Sequence, residues 1–211
     1  MLDLVRIDVA EFAVLADLFE YPRTDFAGIA ARAASAVRTP AVARHLKVFA
    51  TELAELSPEH VEEAHVRTFL VAPASAPYIG VHLFGEESFK RAHLMAQLVE
   101  RFRALGFDPG NELPDHVGVL LRFAGHLDAD ELADLVRWCL AMPVTAMHKA
   151  LADTRNPYRH LLAALQASVA PDGLPEDVRA SIARTAQTPD QEGCFGCSIK
   201  PEDDEEVEEE S

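Results

Sequence analysis

Apolar residues along this chain recur at helical spacing, and capping or helix-breaking residues mark where each run begins and ends. Asp8 is placed to cap a first helix, with Glu11 three residues on completing a capping box. Val9, Phe12, Ala13 and Ala16 then share one face, and Tyr21-Pro22 closes the run. Asp25 to Arg38 is alanine-rich and helical by propensity, and another helix is expected after Pro40. Ser57-Pro58 pairs a cap with a proline at the first helical position, opening a segment that runs to about Leu70.

From Ala72 to Gly85, Pro73, Pro77 and Gly80 predict a loop carrying Tyr78, His82, Leu83 and Phe84. A long helix is expected from Glu86 to Leu105, with acids in its first turn and Gly106 as its stop. Leu94, Leu98 and Phe102 form its stripe. After the turn Phe107-Asp108-Pro109-Gly110-Asn111, Pro114 is read as the start of a helix with Val117, Leu120, Leu121 and Ala124 inward. Three more amphipathic segments follow, opened by Asp128, by Pro143 and by Asn156-Pro157, and a further one spans Pro175 to Ala186. Alternating β-branched runs are missing, so the chain reads as all-α, a single-domain helical bundle over residues 1–187. Periodicity stops near Gln187, and 188–211 reads as a disordered acidic tail that cannot bury enough surface to offset its ordering entropy.

Composition narrows the function classes. At 211 residues and 49% hydrophobic the chain can bury a sizeable core. It has no run of about 18 apolar residues, so no membrane span is expected. The start Met1-Leu2-Asp3-Leu4-Val5-Arg6 lacks the pattern of a secretory signal, and three cysteines offer no disulfide framework. Both point to a reducing, cytoplasmic setting. The formal charge is -16, and eight acids within Glu202–Glu210 account for half of it. Nucleic acid is therefore a poor partner, because phosphate neutralisation needs clustered cations, whereas a basic or amphipathic peptide suits such a surface.

Catalytic motifs are lacking. Gly80 and Gly85 have phosphate-loop spacing, but Glu86 stands where a lysine is required. Cys139 lies on an apolar helical face and reads as core. His60 and His65, five apart, fall on different faces, and His148 sits on an apolar stripe as a core histidine does. The pair Cys194 and Cys197 has metal-ligand or redox spacing, but two further ligands would be needed for zinc, and the acidic flank disfavours a reactive thiolate. It is the one candidate metal pair, set against two reduced thiols in a tail.

The stretch Tyr78-Ile79-Gly80-Val81-His82-Leu83-Phe84-Gly85-Glu86, then a helix with Arg91, Gly106, and Glu112-Leu113-Pro114-Asp115-His116 resembles the central signature of the TorD/DmsD/NarJ family of molybdoenzyme chaperones. Phe19-Glu20-Tyr21-Pro22 and Asn156-Pro157-Tyr158 look like its NarJ branch, and the similarity spans roughly residues 9–168. The cysteine tail departs from the family's pattern. The resemblance implies a non-enzymatic chaperone that binds the N-terminal segment of an apo-molybdoenzyme catalytic subunit. Its client receives molybdopterin guanine dinucleotide, and the chaperone itself keeps no cofactor. Tyr78, His82, Phe84, Arg91, Glu112, Pro114, Asp115 and His116 are the candidate peptide-binding residues. Two local readings stay open: Asp115 and His116 can contact a client or cap a helix, and Tyr78, His82 and Phe84 can line a groove or anchor the loop, which suits Phe84 better. The rival functions are a twin-arginine signal-peptide chaperone of TorD/DmsD type and a helical metal- or haem-binding protein.

Overall fold

The computed structural model describes residues 8–23, 25–170, 173 and 176–180, and within them the architecture is helical with no strand. The helices are α1 (Val9–Asp17), α2 (Phe26–Ala36), α3 (Pro40–Ala54), α4 (Pro58–His65), α5 (Ile79–Phe84), α6 (Phe89–Ala104), α7 (Val117–Phe123), α8 (Ala129–Asp134), α9 (Ala141–Leu151) and α10 (Tyr158–Val169). Residues 176–180 are also helical; the remainder of the segment expected from Pro175, and the tail with Cys194 and Cys197, lie outside the described residues.

Local caps account for several boundaries. Ser57 Oγ accepts the His60 N–H, Asn156 Oδ1 accepts the Tyr158 N–H at 3.0 Å, and Asp128 and Glu131 form a reciprocal capping box at α8. Elsewhere tertiary needs override local expectation. Asp8 does cap α1, accepting from Ala10, but Glu11 does not complete a box. Its carboxylate, 3% exposed, instead accepts the backbone N–H groups of Arg38 and Thr39, both at 2.6 Å. Thr39 makes no side-chain cap for α3, so a distant carboxylate satisfies the donors ahead of that helix. Ala13 faces solvent, and Leu15 takes its expected place in the core beside Phe12 and Ala16.

Four further boundaries are corrected. The 72–85 loop contains α5, and Gly80 is helical: an added Cβ there would stand 2.6 Å from Asp115 Oδ2 and 2.7 Å from Arg91 Cγ, so the glycine permits a close approach rather than breaking a helix. Helix α6 starts at Phe89 under a Ser88 cap, which leaves Glu86 and Glu87 ahead of its first turn. Helix α7 starts at Val117, not Pro114; Pro114 and Asp115 form a turn, because the Asp115 side chain is drawn into the interior. Pro143 opens no helix. Residues from Ala129 to Leu151 are continuously helical through a π-helical turn, Leu135–Leu140, and Pro143 lies just past that change of hydrogen-bond register.

Helices α2 and α3 pack together as a hairpin, with Ala30, Ala33 and Ala34 buried on α2, small side chains that let the two axes approach closely, and Leu46, Phe49 and Ala50 buried on α3. Helix α10 packs across α3 and α9, α1 lies on α7, and α5 is held between α6 and α9. Two aromatic clusters anchor this arrangement. Phe49, Phe69, His65 and Tyr158 pack with ring centroids 5.1–5.6 Å apart, and Phe102, Phe107 and Phe123 pack at 4.5–5.3 Å. Full burial of one such ring contributes about 1.5–3 kcal/mol, so the clusters fix the helix packing around the opening between them. Among the described residues, no helix is long and apolar enough to cross a membrane.

Candidate functional site

The site is built where the segment before α5 meets the segment before α7. Ile79 N–H donates to the Asp115 carbonyl and Val117 N–H to the Pro77 carbonyl, both at 2.8 Å, which pairs Tyr78 with His116 in an isolated antiparallel bridge. Arg91 of α6 reinforces the junction from behind. Its Nε donates to Asp115 Oδ2 at 2.7 Å, Nη2 to Oδ1 at 3.3 Å, and Nη1 to the Glu86 carbonyl. The Asp115 side chain is 0% exposed and that of Arg91 12%. Hydrogen bonding to Asp115 raises the Arg91 pKa against the opposing effect of burial. The guanidinium also sits 5.5 Å from the centre of the Tyr78 ring, a cation–π contact.

In front of this clamp lies an open cleft of about 520 Å³. Phe19, His65, Phe69, Phe107 and Val119 supply apolar lining, while Tyr21, Leu70, Tyr78 and Pro109 shape the remaining walls. Glu20, Asp108, Glu112 and Arg122 are its charged lining residues. The cleft thus combines an apolar body with a few polar groups, as ligand-binding clefts do. Tyr21 and Leu70 remain 48% and 51% exposed.

Electrostatics separate these groups. Arg122 pairs with Asp17 at 3.1 Å and with Glu20 at 2.9 Å. The Tyr21 hydroxyl donates to Glu62 at 2.9 Å and that of Tyr78 to Glu112 at 3.3 Å. The Glu62 bond raises the Tyr21 pKa; burial and then Glu112 raise that of Tyr78. His65, in the wall, hydrogen-bonds Tyr158 at 3.2 Å, and burial lowers its pKa to about 4. His116 caps α7: its Nδ1 accepts the Gly118 N–H at 3.1 Å, so in the neutral ring the proton sits on Nε2. Burial lowers its pKa, although the Glu112 and Glu20 carboxylates oppose that shift.

Of the residues expected from sequence, Tyr78, Glu112 and His116 line the cleft. Arg91 and Asp115 form the clamp behind it, and Pro114 lies in the adjoining turn. The His82 ring donates to the Ala76 carbonyl at 2.8 Å, and Phe84 packs half-buried against the core; neither lines the cleft. Phe69, Phe107 and Arg122 were not legible as site residues: Phe69 closes an apolar helical run and reads as core, Phe107 reads as part of a turn, and Arg122 reads as the polar face of its helix. Cys139 is buried as expected, whereas His148 is only half-buried. No group of three or more His, Cys, Asp or Glu side chains among the described residues is arranged to hold a metal ion.

The model of the nitrate reductase delta subunit family matches residues 33–164, from within α2 into α10, and takes in the Tyr78–His116 junction, Arg91 and Asp115. The chain belongs to the nitrate reductase delta subunit family. That family is of the NarJ/TorD chaperone type, and membership makes this chain a molybdoenzyme maturation chaperone. The delta-subunit fold is shared with a solved structure described as a candidate redox enzyme maturation protein from Archaeoglobus fulgidus. The two are 18% identical, the alignment covers 75% of this chain and 91% of that one, and the TM-score is 0.55. No curated protein sequence matches the chain.

Proposed function

We propose that this delta-subunit family member binds the N-terminal segment of the apo-catalytic subunit of a nitrate reductase-like molybdoenzyme in the cleft beside the Tyr78–His116 bridge. Held there, the client stays open to molybdopterin guanine dinucleotide, which it receives in the cytoplasm before assembly with its other subunits. The chaperone contributes surface and positioning, not chemistry. The observation that carries this reading is an open cleft whose apolar walls leave Tyr21 and Leu70 half exposed, so an incoming amphipathic segment can bury them. The clamp of Arg91 and Asp115 keeps both rims in register without contacting the client.

Co-purification tests the proposal. The tagged chain, co-expressed with the catalytic subunit, is expected to recover it, and deleting the client's N-terminal segment is expected to abolish recovery. Equal recovery of the truncated client would overturn it.

A further inference from the structure

A second face gathers cationic and titratable groups in a chain whose formal charge is -16. It lies where α10 packs across α3 and α9, and none of its residues lines the cleft. The His45 and His160 rings stack with centroids 6.5 Å apart, and Arg44 and His148 stand close enough to act on His45 electrostatically. Burial first, and then Arg44, His160 and His148, lower the His45 pKa, as crowded positive groups do to one another. Glu52 is the carboxylate of the cluster, and Arg159 and His160 already share it. Arg44, and Lys149 next to His148 in the last turn of α9, are exposed and have no salt-bridge partner among the described residues. Val48, one helical turn beyond Arg44, is 39% exposed.

We infer that the acidic run Glu202–Glu210 of this same chain docks on this face, its carboxylates over Arg44, Lys149 and the His45–His160 pair. Charge complementarity argues for this occupant: the run carries eight acids, and an anion laid here relieves the crowding of positive groups around His45. The cleft repels the same run, because Glu20, Asp108 and Glu112 line it and Arg122 is already paired there. Chain length argues for it as well. Asp177 pairs with Arg137, so the chain is tied down near the π-helical turn, and His148 lies eleven residues further along the same continuous helix, about 16 Å away. A coil the length of residues 181–201 spans about 25 Å, enough to bring the run onto the face. Exposed ion pairs contribute little each, so a free acidic peptide would bind weakly. The tether holds the run at about millimolar local concentration, at which several weak contacts suffice. The docked tail leaves the cleft open, and this inference is independent of what the cleft binds.

The test places a nitroxide spin label on the full chain at Ser211→Cys, with Cys194→Ser and Cys197→Ser, since Cys139 is buried. Paramagnetic broadening is then read from amide resonances. The amides of Arg44, His45, Val48 and Lys149 are expected to lose most of their intensity. Raising the salt from about 0.1 to about 1 M, which shortens the Debye length from about 10 to about 3 Å, is expected to restore them. So is replacing the eight acids of Glu202–Glu210 by their amides, and so is Arg44→Glu with Lys149→Glu on the unaltered tail. His45 is expected to titrate at higher pH with the acidic tail than with the amide tail. Broadening that persists with the amide tail, that centres on Tyr21 and Leu70 of the cleft, or that is absent would overturn the inference. Mixing isotope-labelled chain with spin-labelled chain of natural isotope content checks whether the tail reaches a second copy: no broadening is expected, and broadening of the same amides there would overturn docking within one chain.

Discussion

Asp115→Ala is the sharpest perturbation of the clamp that shapes the cleft. The Asp115 carboxylate is 0% exposed and accepts two guanidinium bonds from Arg91, at 2.7 and 3.3 Å. Removing it leaves a 12% exposed guanidinium without its counter-charge, and breaking a buried pair this way costs about 3–5 kcal/mol. The low end applies, about 3 kcal/mol, because Arg91 keeps the Glu86 carbonyl and some access to water. Arg91→Ala is expected to cost more, since it strands the fully buried member. Replacing both with apolar residues is expected to cost less than the sum of the single changes. Urea unfolding followed by far-ultraviolet circular dichroism at neutral pH measures all three. A loss below about 1 kcal/mol for Asp115→Ala, or strict additivity, would refute the clamp.

Three further predictions concern the same framework. Gly80→Ala forces a methyl group against Asp115 Oδ2 and Arg91 Cγ and is expected to destabilise by about 1–3 kcal/mol in the same assay, although alanine favours a helix. Glu11→Ala removes the acceptor for the Arg38 and Thr39 N–H groups and is expected to cost about 2–3 kcal/mol, read from the thermal midpoint. His65 predicts acid sensitivity: its folded-state pKa is about 4, below its unfolded value, so as pH falls below about 6.5 the unfolded chain takes up a proton that the fold refuses. The stability that neutral His65 contributes is present above that pH and lost toward pH 4, by up to about 3 kcal/mol, so the stability difference between the wild type and His65→Gln narrows over that window.

What sequence conveyed well was whatever is decided within one helical turn. Ser57 and Asp128 each cap the helix they precede, Asn156 accepts the first N–H of α10 from just ahead of its Pro157 N-cap, and Gly106 ends α6 with a φ of 65°. Gly80 and Pro143 misled because each acts through something distant or non-local: Gly80 answers to Arg91 and Asp115, and Pro143 follows a π-helical register change that periodicity does not reveal. Glu11 looked like a local cap and instead serves α3. At the site, Tyr78, Glu112 and His116 were legible because they lie in the two short stretches, Tyr78–Glu86 and Glu112–His116, that carry the family signature. Phe19, Phe69 and Phe107 were not, since they come from three of the several separated segments that build the cleft and an isolated aromatic ring carries no mark of facing one. The Asp115 side chain was expected near a helix start; only the folded chain places Arg91 where it draws that carboxylate inward.

Nuclear magnetic resonance mapping of the complex tests the central claim most directly. When the isotope-labelled chain is titrated with a synthetic peptide of its client's N-terminal segment, amide shifts are expected to move at Tyr21, Leu70, Tyr78, Phe107 and His116. Shifts confined to the shallow groove of Ala27, Ala31, Lys47 and Thr51 between α2 and α3, with those five residues unmoved, would contradict it.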